Sequence, residues 1–558
     1  MNVAVCRIAA SVVLLSALVC GPVAAAVPSV TRLFPAGGAR GETVSVKLSG
    51  ELGSKPISAW CSRTDVTVEV NDKGPTLAVK IEPDAPPGLC WLRLYNKEGV
   101  SPLRPFIVGT NRELLEKEPN NALKQAQQLD LATTAVNGVL DKTGDVDVFA
   151  VSARQGQVIV ASMEANRRLG SPMDGILQIV SPRGFVLEQN DDSYGLDPQV
   201  TCLADVDGVY FVRTFAFPAQ PNSSVQLSGS ADYVYRLTIT TGAFISHTLP
   251  LSVTRGSQGR VSIAGWNLTD ALREFEVDAT LIDPFVVAYQ PELANSAFIR
   301  IASHQTGIEQ EPNDLDRAQP LKLPITVTGR IDRPRDADVY RFAAKQNEQL
   351  SFCVESRVLG FPLDPLLKVI GPDGKVLIEN DDQGRGKFDP VLRFKAPADG
   401  EFRVLVTDRY KHGGFRYVYQ LTAELVRPNY ALALAGNAFL LLTDKPLEIP
   451  ITVTRQNGFA GEIKISISGL PDFVTAASVV SSAKGATSKA VNLVLKTHPG
   501  RSFNGSIRIT GRSSGDEPIE QAAQAPIKGF SAQTPDTWLT VRDAKADASE
   551  PGASEKKP

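Results

Sequence analysis

The sequence predicts an all-β chain, an array of β-sandwich or jelly-roll modules, and three observations predict it. Short β-branched alternations recur, as in Thr43-Val44-Ser45-Val46-Lys47-Leu48, Val158-Ile159-Val160-Ala161 and Phe402-Arg403-Val404-Leu405-Val406, each bounded by Gly, Pro or Asn/Asp clusters. No long amphipathic helical pattern interrupts them; the best helical stretch is short, over 123–129. A long stretch over 112–242 returns as a near copy over 308–427. Duplicated units of this kind are modules, used far more often for binding and spacing than for chemistry.

At 558 residues the chain exceeds what one core can organise. Its 43% hydrophobic and 21% charged content is that of globular domains. A formal net charge of -3, with no basic stripe, gives no attraction to nucleic acid or to an anionic membrane surface. The N-terminus reads as an export signal. Arg7 precedes the apolar run Ile8 to Val19, Gly21-Pro22 breaks it, and Ala24-Ala25-Ala26 places the cut before Val27. That break falls too early for a retained membrane anchor, and Val19 before Cys20 does not suit lipidation. The chain is therefore expected to be exported, to the periplasm, the cell surface or the medium, with no membrane span after cleavage.

Six regions follow the signal: a small β unit over 27–109, the first long repeat over 112–242, a second small unit over 243–307, the second long repeat over 308–427, a last β unit over 428–541, and a tail over 542–558 rich in Ala, Ser, Glu, Lys and Pro that is expected to be disordered. Turn residues in the first unit, Pro35 to Glu42 and Ala85-Pro86-Pro87-Gly88, resemble those of immunoglobulin-like IPT/TIG domains, and the other two small units are read as Ig-like too. Inside each repeat a hairpin is legible. Ser181-Pro182-Arg183-Gly184 answers Gly371-Pro372-Asp373-Gly374, with proline presetting the first turn dihedral and glycine supplying positive φ.

The repeats also share four phrases. Glu116-Lys117-Glu118-Pro119-Asn120-Asn121 answers Glu309-Gln310-Glu311-Pro312-Asn313-Asp314, and Asp145-Val146-Asp147-Val148-Phe149 answers Asp336-Ala337-Asp338-Val339-Tyr340. Asn190-Asp191-Asp192 answers Asn380-Asp381-Asp382, and Asp207-Gly208 answers Asp399-Gly400. Together, in this order, they resemble the bacterial pre-peptidase C-terminal (PPC) domain in two copies. The resemblance implies a jelly-roll β-sandwich of the kind attached to secreted peptidases. It also implies calcium at the opening acidic phrase, as in collagen-binding modules of bacterial collagenases. No peptidase motif accompanies the repeats, so a proteolytic role is not expected.

The residues themselves give the acid phrases a metal reading beside a plain one. Glu116, Glu118 and Asn120 present oxygens on one side of an extended chain, as do Glu309, Glu311 and Asn313. Proline after Glu118 and Glu311 disfavours helix there. Asp145 with Asp147, and Asp336 with Asp338, repeat the spacing at a strand start, and Asn121 and Asp314 close the phrases. Hard oxygen donors in this number suit calcium; the other reading is solvated acids that cap loops. On charge, Asp314 in place of Asn121 makes the second set the better one. Asn190-Asp191-Asp192 and its copy read as loop-organising residues, and Tyr233/Tyr235 and Tyr417/Tyr419 as core packing, with an aromatic binding platform as the sharper alternative.

An oxidising compartment would allow Cys61 and Cys90 to pair; two buried free thiols is the other reading. Cys202 and Cys353 read as core residues of separate modules. Catalytic groups are sparse. The 4 histidines are scattered, and no nucleophile elbow, phosphate loop or metalloprotease motif occurs. The expectation is a non-catalytic, exported multidomain β protein for adhesion, matrix contact or partner binding, its partner an extracellular or periplasmic protein or glycan. An accessory subunit of a secreted peptidase or other hydrolase, or a cryptic glycosidase, is the alternative.

Overall fold

The computed structural model describes residues 26–543 apart from 72, 131, 221–225 and 281–283. The apolar run and cleavage motif up to Ala25, and the tail from 544, lie outside the described residues. Within them the chain is built of strands, as the alternation predicts. Along Thr43–Glu51, Val46 and Leu48 are buried while Ser45 and Lys47 are exposed. The longest helix among the described residues is the short Asn166–Leu169, and no described helix is long and apolar enough to cross a membrane.

Paired sheets recur along the chain. The first comprises Ser29–Phe34, Thr43–Glu51, Thr76–Ile81 and Val66–Val70, facing a sheet built around Gly37–Ala39, Arg104–Gly109, Gly88–Asn96 and Ser58–Cys61. Two small sheets of three strands lie between the repeats, and a four-stranded and a six-stranded sheet enclose the last core. Each repeat is a sandwich of two five-stranded sheets with the same order in both copies. In the first repeat one sheet runs Glu113–Leu115, Thr133–Val139, Val234–Thr240, Val158–Glu164, Gln199–Leu203, and the other Gln127–Gln128, Asp147–Ala153, Gly208–Pro218, Met173–Val180, Val186–Asn190. Gln305–Ile308 and Ile325–Arg330 open the matching sheet of the second. Val158–Glu164 departs from simple alternation, with Ile159, Val160 and Ala161 all buried. Ile159 and Ala161 face the repeat's own core, while Val160 packs on Phe244 and Ala294 of the small sandwich that follows.

The hairpins form at the expected turns. Ser181 N donates to Phe185 O at 2.8 Å and Gly371 N to Lys375 O at 2.9 Å, with Gly184 and Gly374 at φ 89° and 79°. The helical expectation over 123–129 is corrected to a single 3-10 turn, Leu123–Gln125. Gln127 and Gln128 instead pair parallel with Phe149 and Ala150, a tertiary pairing that overrides local propensity.

The last module returns to the first. Trp538 lies 6.1 Å from Trp60 and 4.9 Å from Tyr95, ring centre to ring centre, and Asn504 Nδ2 donates to Asn96 O at 3.0 Å. Arg542 forms an ion pair with the buried Glu98 across the same joint.

Candidate metal centre

In both repeats the opening phrase is held beside the strand that follows it. Glu113–Leu115 runs parallel to Thr133–Val139, and Gln305–Ile308 to Ile325–Arg330. The pairing continues one residue on, with Glu116 N donating to Asn137 O at 3.0 Å and Glu309 N to Thr328 O at 2.9 Å. A glutamine then clips the phrase from the other side. Gln127 accepts from Lys117 N (2.8 Å) and donates to Leu115 O (3.1 Å); Gln319 accepts from Gln310 N (2.7 Å) and donates to Ile308 O (3.3 Å). Beyond this point the phrase leaves regular strand, and Glu118-Pro119 and Glu311-Pro312 are both cis peptides. It ends on Asn120 or Asn313, each buried, whose carbonyl accepts from Val148 N (3.0 Å) or Val339 N (2.8 Å).

These fastenings aim the acids at the strand carrying Asp147 or Asp338, both 0% exposed. A tyrosine completes each set. Tyr235 lies across from Gly138 and Tyr419 across from Gly329, and both rings are fully buried. The glycines are required by that close approach: a Cβ on Gly138 would stand 2.2 Å from the Tyr235 hydroxyl and 2.4 Å from Glu116 Oε2, and one on Gly329 2.3 Å from Tyr419 Cζ. Tyr235 donates to Asp147 Oδ2 at 2.5 Å and stands 3.1 Å from Glu116 Oε2; Tyr419 donates to Asp338 Oδ2 at 2.6 Å. The tyrosines therefore pack in the core, as the plainer sequence reading had it, and Tyr235 and Tyr419 form no exposed platform.

Burial pushes Glu116, Asp147, Glu309 and Asp338 above the usual carboxylate range. The neighbouring carboxylate adds to the rise of Asp147 and of Glu309. Two buried carboxylates in contact do not both ionise without a counter-charge, so each Glu–Asp pair shares a proton unless a cation replaces it. Burial likewise raises Tyr235 and Tyr419 well above the ordinary phenol range, which keeps them hydrogen-bond donors.

The donor set fits a hard cation. Glu118, Asp145 and Asp147 can bring one oxygen each within 4.8 Å of one another, and so can Glu309, Glu311 and Asp338. Buried oxygens without a hydrogen-bond partner lie at the same places: Asp147 Oδ1 and Asn120 Oδ1 in the first repeat, Asp338 Oδ1 and Glu309 Oε2 in the second. Carboxylate and amide oxygens, with no imidazole or thiolate among them, are the ligands of calcium or magnesium rather than zinc.

The remaining sequence candidates either support these acids or turn away from them. Asp145 accepts from Asp141 N (2.7 Å) and from Asn121 Nδ2 (3.1 Å), so Asn121 supports an acid. Asp336 accepts from Asp332 N at 3.0 Å and lies 3.7 Å from Arg333. Asp314 turns outward to Arg317 at 2.5 Å, and that hydrogen bond holds its carboxyl below the usual range. It is not brought into the cluster, and the charge advantage expected of the second set is not realised through it. Sequence reasoning missed the glutamine clips, the tyrosine hydroxyls and Gly138/Gly329; each recurs at a matching place in both copies, which is the signal that could have found them. Asn190 organises its loop as expected, accepting from the Ser193 hydroxyl (2.7 Å) and Gln199 N (3.2 Å), and Asn380 donates to Val391 O at 2.9 Å. Cys61, Cys90, Cys202 and Cys353 are all free thiols.

No family model matches the chain. A probable subtilase-type serine protease of Deinococcus radiodurans is 30% identical over 97 residues, which are 17% of this chain and 13% of that protein. One region is similar in structure to the pre-peptidase C-terminal domain of a Bacillus anthracis collagenase, at 17% identity, covering 21% of this chain and 100% of that one, with a TM-score of 0.17. Trypsin-activated alpha-2-macroglobulin of Escherichia coli is 10% identical, covering 93% of this chain and 49% of that one, with a TM-score of 0.16.

Proposed function

We propose that this chain is an exported, non-catalytic multidomain β protein that binds an extracellular or periplasmic protein or glycan, and whose two repeats are stabilised by calcium. One observation carries the reading. A three-acid cluster, sharing the Glu118/Glu311 and Asp147/Asp338 positions and carrying a glutamine clip, tyrosine and glycine, is built in each repeat, which suits a job done once per module and not a single reaction centre. Glu118, Asp145 and Asp147 with Glu116 and Asn120 would hold the ion in the first repeat. Glu309, Glu311 and Asp338 with Asn313 would hold it in the second. When bound, calcium supplies positive charge that replaces the proton shared by each buried pair. Export is supported by the apolar run before the Ala24-Ala25-Ala26 motif.

The test is a titration of the full chain with calcium, magnesium and chelator, read by unfolding midpoint and by calorimetry. Saturation at a hundredfold excess over Kd should stabilise each repeat by about 2.7 kcal/mol, and Asp147→Asn with Asp338→Asn should abolish the gain. Midpoints that ignore calcium would leave the acids as metal-free proton-sharing pairs. Binding is checked on a glycan and matrix-protein array. A second reading is an accessory unit working beside a peptidase. It is supported by the stretch shared with a probable subtilase-type serine protease, and co-purification with a secreted hydrolase would favour it.

A further inference from the structure

Cys61 and Cys90 stand on neighbouring strands of the first module, Ser58–Cys61 and Gly88–Asn96. Cys61 lies opposite Leu92, so its side chain shares the core face with Cys90, one alternation further along. Cys90 is fully buried and donates to Phe106 O at 3.3 Å, whereas Cys61 sits at the rim of the same core, half-buried. The two thiols lie close enough to bias each other's ionisation. Their chain neighbours point the opposite way, onto the last module. Trp60 meets Trp538 at 6.1 Å, Trp91 meets Phe530 at 5.0 Å, and Arg93 lies 5.7 Å over Trp60 and 5.6 Å over Trp538. The pair of sulfurs therefore lies directly behind the face that holds the returning module.

We propose that Cys61 and Cys90 form a redox site, a dithiol that closes to a disulfide and in closing locks the face on which the last module docks. The metal sites play no part in it; export supplies only the oxidising compartment. Cys61 is the attacking sulfur, because it is the more exposed one. The neighbouring Cys90 and the adjacent Arg63 hold its thiol below the ordinary range, while Cys61 and burial raise Cys90 well above it. The oxidant is a small or protein disulfide. Cys61 thiolate attacks one of its sulfurs and the other leaves as a thiol. Cys90 then gives up its proton, its sulfur attacks that of Cys61, and the second oxidant sulfur leaves. Two electrons pass to the oxidant's disulfide, and the protons of both cysteines end on its two sulfurs. The new bond ties Ser58–Cys61 to Gly88–Asn96, so Trp60, Trp91 and Arg93 are carried on a stapled pair of strands.

The experiment uses the full chain, reduced and then held with oxidised glutathione, followed by denaturation, alkylation and peptide mapping. The expected product is a Cys61–Cys90 peptide with Cys202 and Cys353 alkylated. Cys90→Ala should stop at a glutathione adduct on Cys61. In the intact protein, oxidation should raise the unfolding midpoint seen by tryptophan fluorescence by about 5 °C or more, reversibly with dithiothreitol, and not in Cys61→Ser. Alkylation of both Cys61 and Cys90 after oxidant, or a wild-type adduct that never resolves, overturns the site. A disulfide that forms while the midpoint stays fixed overturns the lock.

Discussion

Where the first repeat carries Phe149, the second carries Tyr340, and that one hydroxyl changes how two otherwise matched acid sites are satisfied. In the first, the Tyr235 hydroxyl lies within reach of both Asp147 (2.5 Å) and Glu116 (3.1 Å). In the second, the Tyr340 and Tyr419 hydroxyls meet at 2.7 Å, and Tyr419 gives its own proton to Asp338. Glu309 Oε2 then receives no hydroxyl and depends on the proton shared with Asp338, while its other oxygen accepts from Arg330 N at 2.7 Å. Identical backbone architecture thus holds two differently wired sites. The lesson is that the acids and the glycine set where the site is, and the surrounding hydroxyls set how it is satisfied without a cation.

The comparison breaks most severely at the glycines. Gly138→Ala and Gly329→Ala each drive a methyl group into a buried tyrosine that has no room to retreat, and each should cost its repeat about 3 kcal/mol or more. Denaturant unfolding of the separate repeats checks this; loss in only one would show that the tyrosine seats are not equivalent. A slightly smaller effect comes from pH in chelator. Glu116 and Asp338 are each pushed to about 7, chiefly by burial, against about 4 in the unfolded chain. The folded repeats then bind more protons than the unfolded ones across that interval. Stability is full below about pH 4 and falls by about 1–3 kcal/mol per repeat as pH rises towards 7, and it goes on falling above that because Asp147 and Glu309 are raised further still. Calcium should flatten or invert the slope. A metal-free midpoint that rises over the same window would reverse the assignment of shared protons.

Tyr340→Phe sharpens the comparison by converting the second site to the wiring of the first. It removes one buried neutral hydrogen bond, at about 1 kcal/mol, and frees the Tyr419 oxygen. Phe149→Tyr is the reciprocal change. If the pH slopes of the two repeats do not move towards each other in these variants, the hydroxyl is not what distinguishes the sites.

Much of this was legible from residue pattern alone. The strand alternation, the Pro-Gly hairpins and the position of Asp147 and Asp338 follow from local rules that need no partner. What was not legible depends on partners distant in sequence. Gln127 reads as part of a helix until its pairing with Phe149 is known, and Tyr235 reads as ordinary packing until Gly138 is found across from it. Asp314 misled for a different reason: its alternative partner, Arg317, is only three residues away, and composition gave no way to choose between the two directions.

Asp314 gives the smallest expected effect and the finest test. Counting charges along the phrase makes the second site richer than the first by one carboxylate, since Asp314 stands where Asn121 does. The geometry removes that advantage, because Asp314 faces solvent and Arg317 at 2.5 Å, while the set that converges is Glu309, Glu311 and Asp338. An exposed pair of this kind is weak and screened by salt. Asp314→Asn should therefore leave both the midpoint and the calcium affinity of the second repeat within error of wild type, whereas Glu311→Gln should weaken calcium binding by tenfold or so. Calorimetry on the two variants side by side decides the matter. A comparable loss in Asp314→Asn would mean that Arg317 releases the carboxylate when the ion arrives, and that the second site gathers one more ligand than the first.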